Sequence, residues 1–254
     1  MTATRFLTMP DGRKIAHRFL PGSGPALVFL PGYMSDMAGG KAQAVFEWAR
    51  AHGQACLLLD YSGCGESPGD FADGTLSSWR EEVLAVVEAH CPDEVMFIGS
   101  SMGGWMMLLC ALEMPQRVAG LIGIAPAPDF TECGFTEEQK ALFRRGETVF
   151  EENMYGPEPT PTYADLWADG EKLLLLHTEI PLDCPVRLLH GQADPDVPHE
   201  VSLRLAKALR SSDVQVTLIK DGDHRLSRGP DIALLLSAVA GLAAGRQTEP
   251  RPCP

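Results

Sequence analysis

Two serines stand side by side in Gly99-Ser100-Ser101-Met102-Gly103, within an apolar stretch of the chain. One register fits G-x-S-x-G, the pattern that presents a serine on a tight turn from a strand into a helix. With Ser101 at the centre, glycines fall at 99 and 103; with Ser100 at the centre, the first glycine's place is held by Ile98. The pattern has a steric cause, because a side chain at either flank would strike the strand or the helix that the turn joins. Ser101 is therefore the candidate nucleophile, and Ser100 fills the variable position. A serine hydroxyl is a weak nucleophile and needs a base, which an acid must in turn orient.

The chain holds seven histidines. His224, in "IKDGDHRL", alone lies just past the final apolar run and before the final helical pattern. His190 ends an apolar run and reads as structural. His17, His52, His90, His177 and His199 lie away from those loops. The acid is sought in "LLHGQADPDVP", which offers Asp194 and Asp196. Asp194 is preferred, since Asp196 directly precedes Val197-Pro198 at the start of a helix, where it can serve as a cap. Negative charge that develops on a substrate oxygen needs two backbone N–H groups. Met102, next after the nucleophile, supplies one. Tyr33 supplies the other, because Pro31 has no N–H and Gly32 permits the turn.

These residues need a scaffold. "RFLTM", "PDG" and "RKIAHRFL" read as a β-hairpin turning on Asp11-Gly12. After it come "ALVFLPG", "ACLLLDYSG", "VMFIGSS", "AGLIGIAPA", "VRLLHGQAD" and "VQVTLIKDGDH". Each is apolar without polar alternation, as in strands buried on both faces. Helical patterns separate them at 40–52, 77–90, 102–114, 199–210 and 230–243. Alternating strands and helices predict an α/β fold whose mostly parallel sheet is covered on both faces, preceded by the antiparallel hairpin. Residues 127–182 break the alternation and read as a helical insertion between two strands, a lid over one edge of the sheet in preference to a small helical subdomain that only adds stability. A single domain is expected over 1–245, with a disordered Pro-rich tail over 246–254.

Within the expected lid, Phe130, Phe135, Phe143, Tyr155, Tyr163 and Trp167, together with Met106 from the helix after Ser101, could line an acyl pocket, though each taken singly reads first as core packing of the lid. Glu137, Glu138, Glu147, Glu151 and Glu152 make the lid acidic, which favours neutral acyl chains of short to medium length. "DYSGCGESPG" is not a phosphate cradle, since Pro68 holds the third glycine's place; it reads as a loop beside the site.

Net charge is −13, against nucleic acid and anionic membrane as partners. No apolar run is long enough to span a membrane, so stable membrane anchoring is not expected. Seven scattered cysteines without a CxxC pair argue against a disulfide framework and a structural zinc site. The first strand begins too early to leave room for a targeting segment. The expectation is a cytoplasmic chain, or a mature form already processed, that is a monomer or small homo-oligomer with no cofactor and no metal.

"LVFLPGYMSDMAGGKA", "LLLDYSGCGES", "GSSMGG", "IPLDCPVRLLHGQADPDVP" and "DGDHRL" resemble the α/β-hydrolase superfamily. Within it they are similar to the mitochondrial branch of palmitoyl-protein thioesterases and acyl-glucuronide esterases. The resemblance runs from about residue 14 to 230 and is poor near 130–160. It implies the α/β-hydrolase fold, a triad on Ser101, Asp194 and His224, and cofactor-free hydrolysis of acyl esters or thioesters, on small molecules or S-acylated proteins. A serine peptidase of the same fold and a catalytically inactive binding module are the alternatives. A dehalogenase of this fold would carry aspartate at 101.

Overall fold

The computed structural model describes residues 3–153 and 156–245. The chain opens with β1 (Arg5–Thr8) and β2 (Lys14–Leu20), antiparallel and joined through Gly12, whose φ is 92°. Then follow β3 (Ser23–Leu30), α1 (Gly40–His52), β4 (Gln54–Leu59), α2 (Leu76–His90), β5 (Val95–Ser100), α3 (Met102–Glu113) and β6 (Val118–Ile124). An insertion carries α4 (Phe130–Cys133), α5 (Glu137–Phe143), β7 (Val149–Glu151), β8 (Thr160–Thr162) and α6 (Ala164–Gly170). The chain closes with β9 (Val186–Gly191), α7 (Glu200–Ala208), β10 (Val214–Ile219) and α8 (Gly229–Gly245).

The main sheet has eight strands in the order β1-β2-β4-β3-β5-β6-β9-β10. From β4 to β10 the pairs are parallel; β2 joins β4 antiparallel, so the hairpin extends one edge. Side chains alternate between the sheet's two faces. Leu27 and Phe29 of β3, Cys56 and Leu58 of β4, and Met96 and Ile98 of β5 pack with Val45 and Phe46 of α1 and Val239 of α8. Their neighbours Val28, Leu57 and Phe97 pack on the other face with Trp79 and Val83 of α2, Trp105 of α3 and Leu205 of α7. Both faces are covered, which is why these strands read as unbroken apolar runs.

β10 departs from that reading. It pairs with β9 alone, and Gln215 and Thr217 are exposed while Val214 and Val216 are half-buried. Alternation in "VQVTLI" is the signature of an edge strand with one covered face.

The insertion also differs from the expected run of helix. α5 ends at Phe143, and Gly146 turns the chain at φ 79° into β7, which pairs with the Pro-containing β8. The β-branched and aromatic run Thr148-Val149-Phe150 favours a strand over continued helix. Phe143 stacks on Trp167 at 5.4 Å, and with Val149 and Phe135 they make a small core of the insertion's own. Two polar contacts bind the insertion to the sheet's helices. The Asp169 carboxylate accepts the Ser77 amide and hydroxyl at 2.8 and 2.9 Å, and Trp105 Nε1 donates to the Leu173 carbonyl. The 246–254 tail lies outside the described residues.

Candidate active site

Ser101 sits between β5 and α3 with φ 56° and ψ −121°, a backbone conformation that costs a non-glycine residue strain. The turn is tight enough to dictate its glycines. A Cβ on Gly99 would lie 2.1 Å from the Gly103 carbonyl oxygen, and one on Gly103 would lie 2.1 Å from that of Leu30. The Ser101 amide donates to the Ile124 carbonyl at 2.9 Å, which fixes the turn against the end of β6.

The loops after β9 and β10 come together beside it. A Cβ on Gly191 would lie 2.1 Å from the Gly222 carbonyl, and the Ala193 amide donates to that carbonyl at 3.0 Å. His224 Nδ1 is 2.8 Å from Asp194 Oδ2, and His224 Nε2 is 2.9 Å from Ser101 Oγ. An ionised carboxylate only accepts, so Nδ1 carries the hydrogen and the Nε2 lone pair faces the serine hydroxyl. The sequence-predicted serine, histidine and preferred aspartate thus meet in one hydrogen-bonded chain, drawn from the C-terminal ends of β5, β9 and β10.

Asp194 is almost fully buried, its side chain 1% exposed. Burial pushes its carboxyl up, but hydrogen bonds from His190, His224 and the Val197 amide outweigh that and hold it well below the usual carboxylate range. Asp196 is exposed, and its amide donates to Asp194 Oδ1 at 2.9 Å. The sequence placed it at the entry of α7. That helix starts at Glu200 with His199 in the capping position.

The segment after β3 passes over the nucleophile. A Cβ on Gly32 would lie 3.3 Å from Ser101 Cβ, and the next residue is Tyr33. Among the described residues neither the Tyr33 nor the Met102 amide donates to a protein acceptor. The Tyr33 hydroxyl donates to the Pro161 carbonyl of β8 at 2.7 Å, which ties this segment to the insertion. Burial raises its phenol above the usual range. Asp60, at the end of the β4 run, holds the segment from below by accepting the Met37 and Glu66 amides at 2.6 and 2.8 Å. Its only sequence signal is a carboxylate closing "LLLD".

The expected pocket residues divide. Phe130 faces Trp105 at 5.5 Å and Tyr33 at 6.3 Å, and Tyr163 meets Phe71, which packs edge-on against Tyr33 at 4.9 Å. Phe135, Phe143 and Trp167 instead fill the insertion's core, and Met106 of α3 is buried in the main core. Tyr155 lies outside the described residues. Beside Tyr33 a cavity of about 140 Å³ opens between Met34, Asp36 and Phe71, with Gly63, Cys64 and Gly65 of "DYSGCGESPG" as one wall. Burial pushes the Cys64 thiol up to about 12, which leaves it unreactive at neutral pH.

Two groups bring carboxylate and imidazole atoms within 4.8 Å of one another: Asp194, Asp196 and His224, and Asp129, Glu132 and His177. In the first, both Asp194 oxygens are engaged as above. In the second, Asp129 accepts the Leu175 and Leu176 amides, and His177 Nε2 pairs with Glu132 at 2.8 Å. The second group pins the two ends of the insertion together.

The family described as alpha/beta hydrolase fold matches residues 25–169. The mitochondrial palmitoyl-protein thioesterase ABHD10 of Homo sapiens is 37% identical over 250 residues, which is 95% of this chain and 80% of that protein. The solved structure of mouse alpha/beta hydrolase domain-containing protein 10 aligns with a TM-score of 0.89 at 37% identity, covering 96% of this chain and 100% of that one. Est1E from Butyrivibrio proteoclasticus, solved with ferulic acid bound, shares the fold at 20% identity and a TM-score of 0.79, over 96% of this chain and 100% of its own.

Proposed function

Because the chain belongs to the α/β-hydrolase fold family, we propose that it cleaves acyl esters and thioesters through an acyl-enzyme formed on Ser101. The observation that carries this reading is the hydrogen-bonded chain Ser101–His224–Asp194. Ser101 Oγ attacks the acyl carbonyl as its proton passes to His224 Nε2. Asp194 holds the imidazole in the productive tautomer and stabilises the imidazolium without itself taking the proton. The Met102 and Tyr33 amides receive the oxyanion of the tetrahedral intermediate. The intermediate collapses as the C–O or C–S bond breaks, and the imidazolium returns its proton to the leaving group. Water then repeats the sequence on the acyl-serine and regenerates the hydroxyl.

The mammalian relatives are named palmitoyl-protein thioesterases, which makes S-acylated protein a candidate substrate beside small acyl thioesters and esters. Phe71, Phe130 and Tyr163 around Tyr33 supply apolar surface for an acyl chain. No described helix is long and apolar enough to cross a membrane. The described cysteines are all free, which fits the reducing cytoplasm.

The test is fluorophosphonate labelling with peptide mapping, followed by kcat/KM across p-nitrophenyl esters and acyl thioesters of rising length. A serine adduct at Ser101 is expected. The profile should rise by about 0.8 kcal/mol per methylene and then turn over as the pocket fills. An adduct at Ser100, or no adduct and no hydrolysis, would overturn the reading. A flat profile from acetyl to palmitoyl would remove the insertion from the pocket.

A further inference from the structure

His190 closes β9 with its side chain fully buried, and the scheme above gives it no work. Its Nε2 faces two acceptors, the Val197 carbonyl at 2.9 Å and Asp194 Oδ2 at 3.3 Å. Two acceptors on one nitrogen require a hydrogen there, so the Nε2–H bond is bifurcated with its longer branch on the carboxylate. The other nitrogen, Nδ1, lies 2.7 Å from the hydroxyl of Ser202, a fully buried residue of α7. That hydroxyl donates to the Nδ1 lone pair and fixes the tautomer. Val197 completes a clamp, because its amide donates to Asp194 Oδ1 at 2.9 Å while its carbonyl receives His190.

Resting on the hydrolase reading above, we infer that His190 is a positioning residue for the same site. It acts through Asp194, with Ser202 setting which of its nitrogens faces the carboxylate. A buried histidine with only a packing role would be satisfied by Val197 and Ser202; here the ring also shares the carboxylate oxygen that receives His224. His190 joins His224 and the Val197 amide in holding the Asp194 carboxyl low. The shared donor draws charge away from Oδ2. Asp194 therefore offers the His224 ring less negative charge than it would alone, while the clamp fixes where Oδ2 sits.

The charged groups around His224 are Asp194 and Asp196 of the loop after β9, Asp223 and Arg225 on either side of it in the chain, and Lys41 of α1, whose ammonium donates to the Arg225 carbonyl. All remain in the variants below, so they act alike on each.

The test compares His190→Leu, His190→Gln and Ser202→Ala with the unaltered protein. Three readouts are used: the pH profile of kcat/KM on p-nitrophenyl butyrate, thermal melting, and the downfield proton NMR signal of His224 Nδ1–H. His190→Leu removes the donor at similar volume. It should lower kcat by about 10- to 100-fold with little change in KM, as expected for a displaced catalytic group. The acid limb of the profile should move to higher pH, and the Nδ1 proton should move further downfield. His190→Gln keeps an N–H donor and should restore part of both shifts. Ser202→Ala should shift both in the same direction as His190→Leu, by less, and decides the matter if His190→Leu fails to fold. An acid limb and an Nδ1 proton unmoved in every folded variant, with activity tracking only the folded fraction, would leave His190 a packing residue and overturn the inference. The NMR signal reads the hydrogen bond without turnover. If the unaltered protein hydrolyses nothing, the hydrolase reading fails, and the proton shift still decides the role of His190.

Discussion

Replacing Asp194 by asparagine tests the site at its most constrained atom pair. Oδ1 accepts the amides of Asp196 and Val197 at 2.9 Å each, and Oδ2 accepts His224 Nδ1 at 2.8 Å with His190 Nε2 at 3.3 Å. Every group that faces the carboxylate is a donor. An asparagine brings one oxygen and one NH2, so either orientation sets N–H against N–H. With the NH2 toward the backbone amides, His224 keeps an acceptor but loses the negative charge that stabilises its imidazolium. With the NH2 toward the imidazoles, His224 flips its tautomer and points Nε2–H at Ser101, which removes the base. Either way the loss falls on kcat, by about 10⁴-fold on the precedent of serine proteases. Donors left without an acceptor cost about 1–3 kcal/mol, which at roughly 2–4 °C per kcal/mol for a chain of this size lowers Tm by about 2–12 °C. The sign with pH follows from the lowered carboxyl. Its stabilisation is present above the unfolded carboxylate value and is lost as pH falls toward the folded one, so the Tm gap between protein and variant should narrow below about pH 4. Asp196→Asn changes an exposed carboxylate outside the chain of contacts to Ser101 and should leave kcat within a few-fold. Steady-state kinetics and melts on both variants decide the matter. An inactive Asp196→Asn beside a normal Asp194→Asn would move the acid to 196, and two variants of normal kcat would dismantle the triad.

Ser101→Ala should abolish hydrolysis and fluorophosphonate labelling, with a loss of roughly 10⁶-fold where the subtilisin precedent transfers, while Ser100→Ala should keep most activity. Gly103→Ala drives a Cβ to within 2.1 Å of the Leu30 carbonyl, a backbone atom that cannot rotate away. It should cost several kcal/mol, on the order of 3 or more, seen as a lower Tm or loss of soluble expression. Tyr33→Phe keeps the amide and removes the hydroxyl bond to Pro161. It should cost about 0.5–1.5 kcal/mol in a denaturant melt, with a smaller loss of kcat than Ser101→Ala; a loss as large as that of Ser101→Ala would mean the hydroxyl itself serves the chemistry.

The parallel sheet was legible because its strands are buried on both faces, and burial leaves unbroken apolar runs that no other local structure demands. The serine was legible because its flanking glycines stand out in the sequence; Gly99 answers to the Gly103 carbonyl within the motif, while Gly103 answers to the Leu30 carbonyl of β3, which only the fold brings beside it. His190 was not. Its partners Ser202 and Val197 are close in sequence, but only the fold of the loop after β9 turns its ring to the carboxylate. The hairpin of β7 and β8 was hidden by prolines, which weaken a strand signal yet are tolerated in a two-stranded edge pair.

β10 lies at the rim of the sheet, with one neighbour and one covered face, and the base hangs from the loop that follows it. The loop is moored by Lys41 to the Arg225 carbonyl and by Arg228 to both Asp221 and Asp231, at 2.9 and 2.8 Å. Arg228 and Asp221 are in contact with solvent, 43% and 81% exposed, whereas Ser101 is anchored between two central strands. Heat or denaturant should therefore fray the rim and detach His224 while the middle of the sheet stays intact, so that activity fades at milder conditions than those that melt the core.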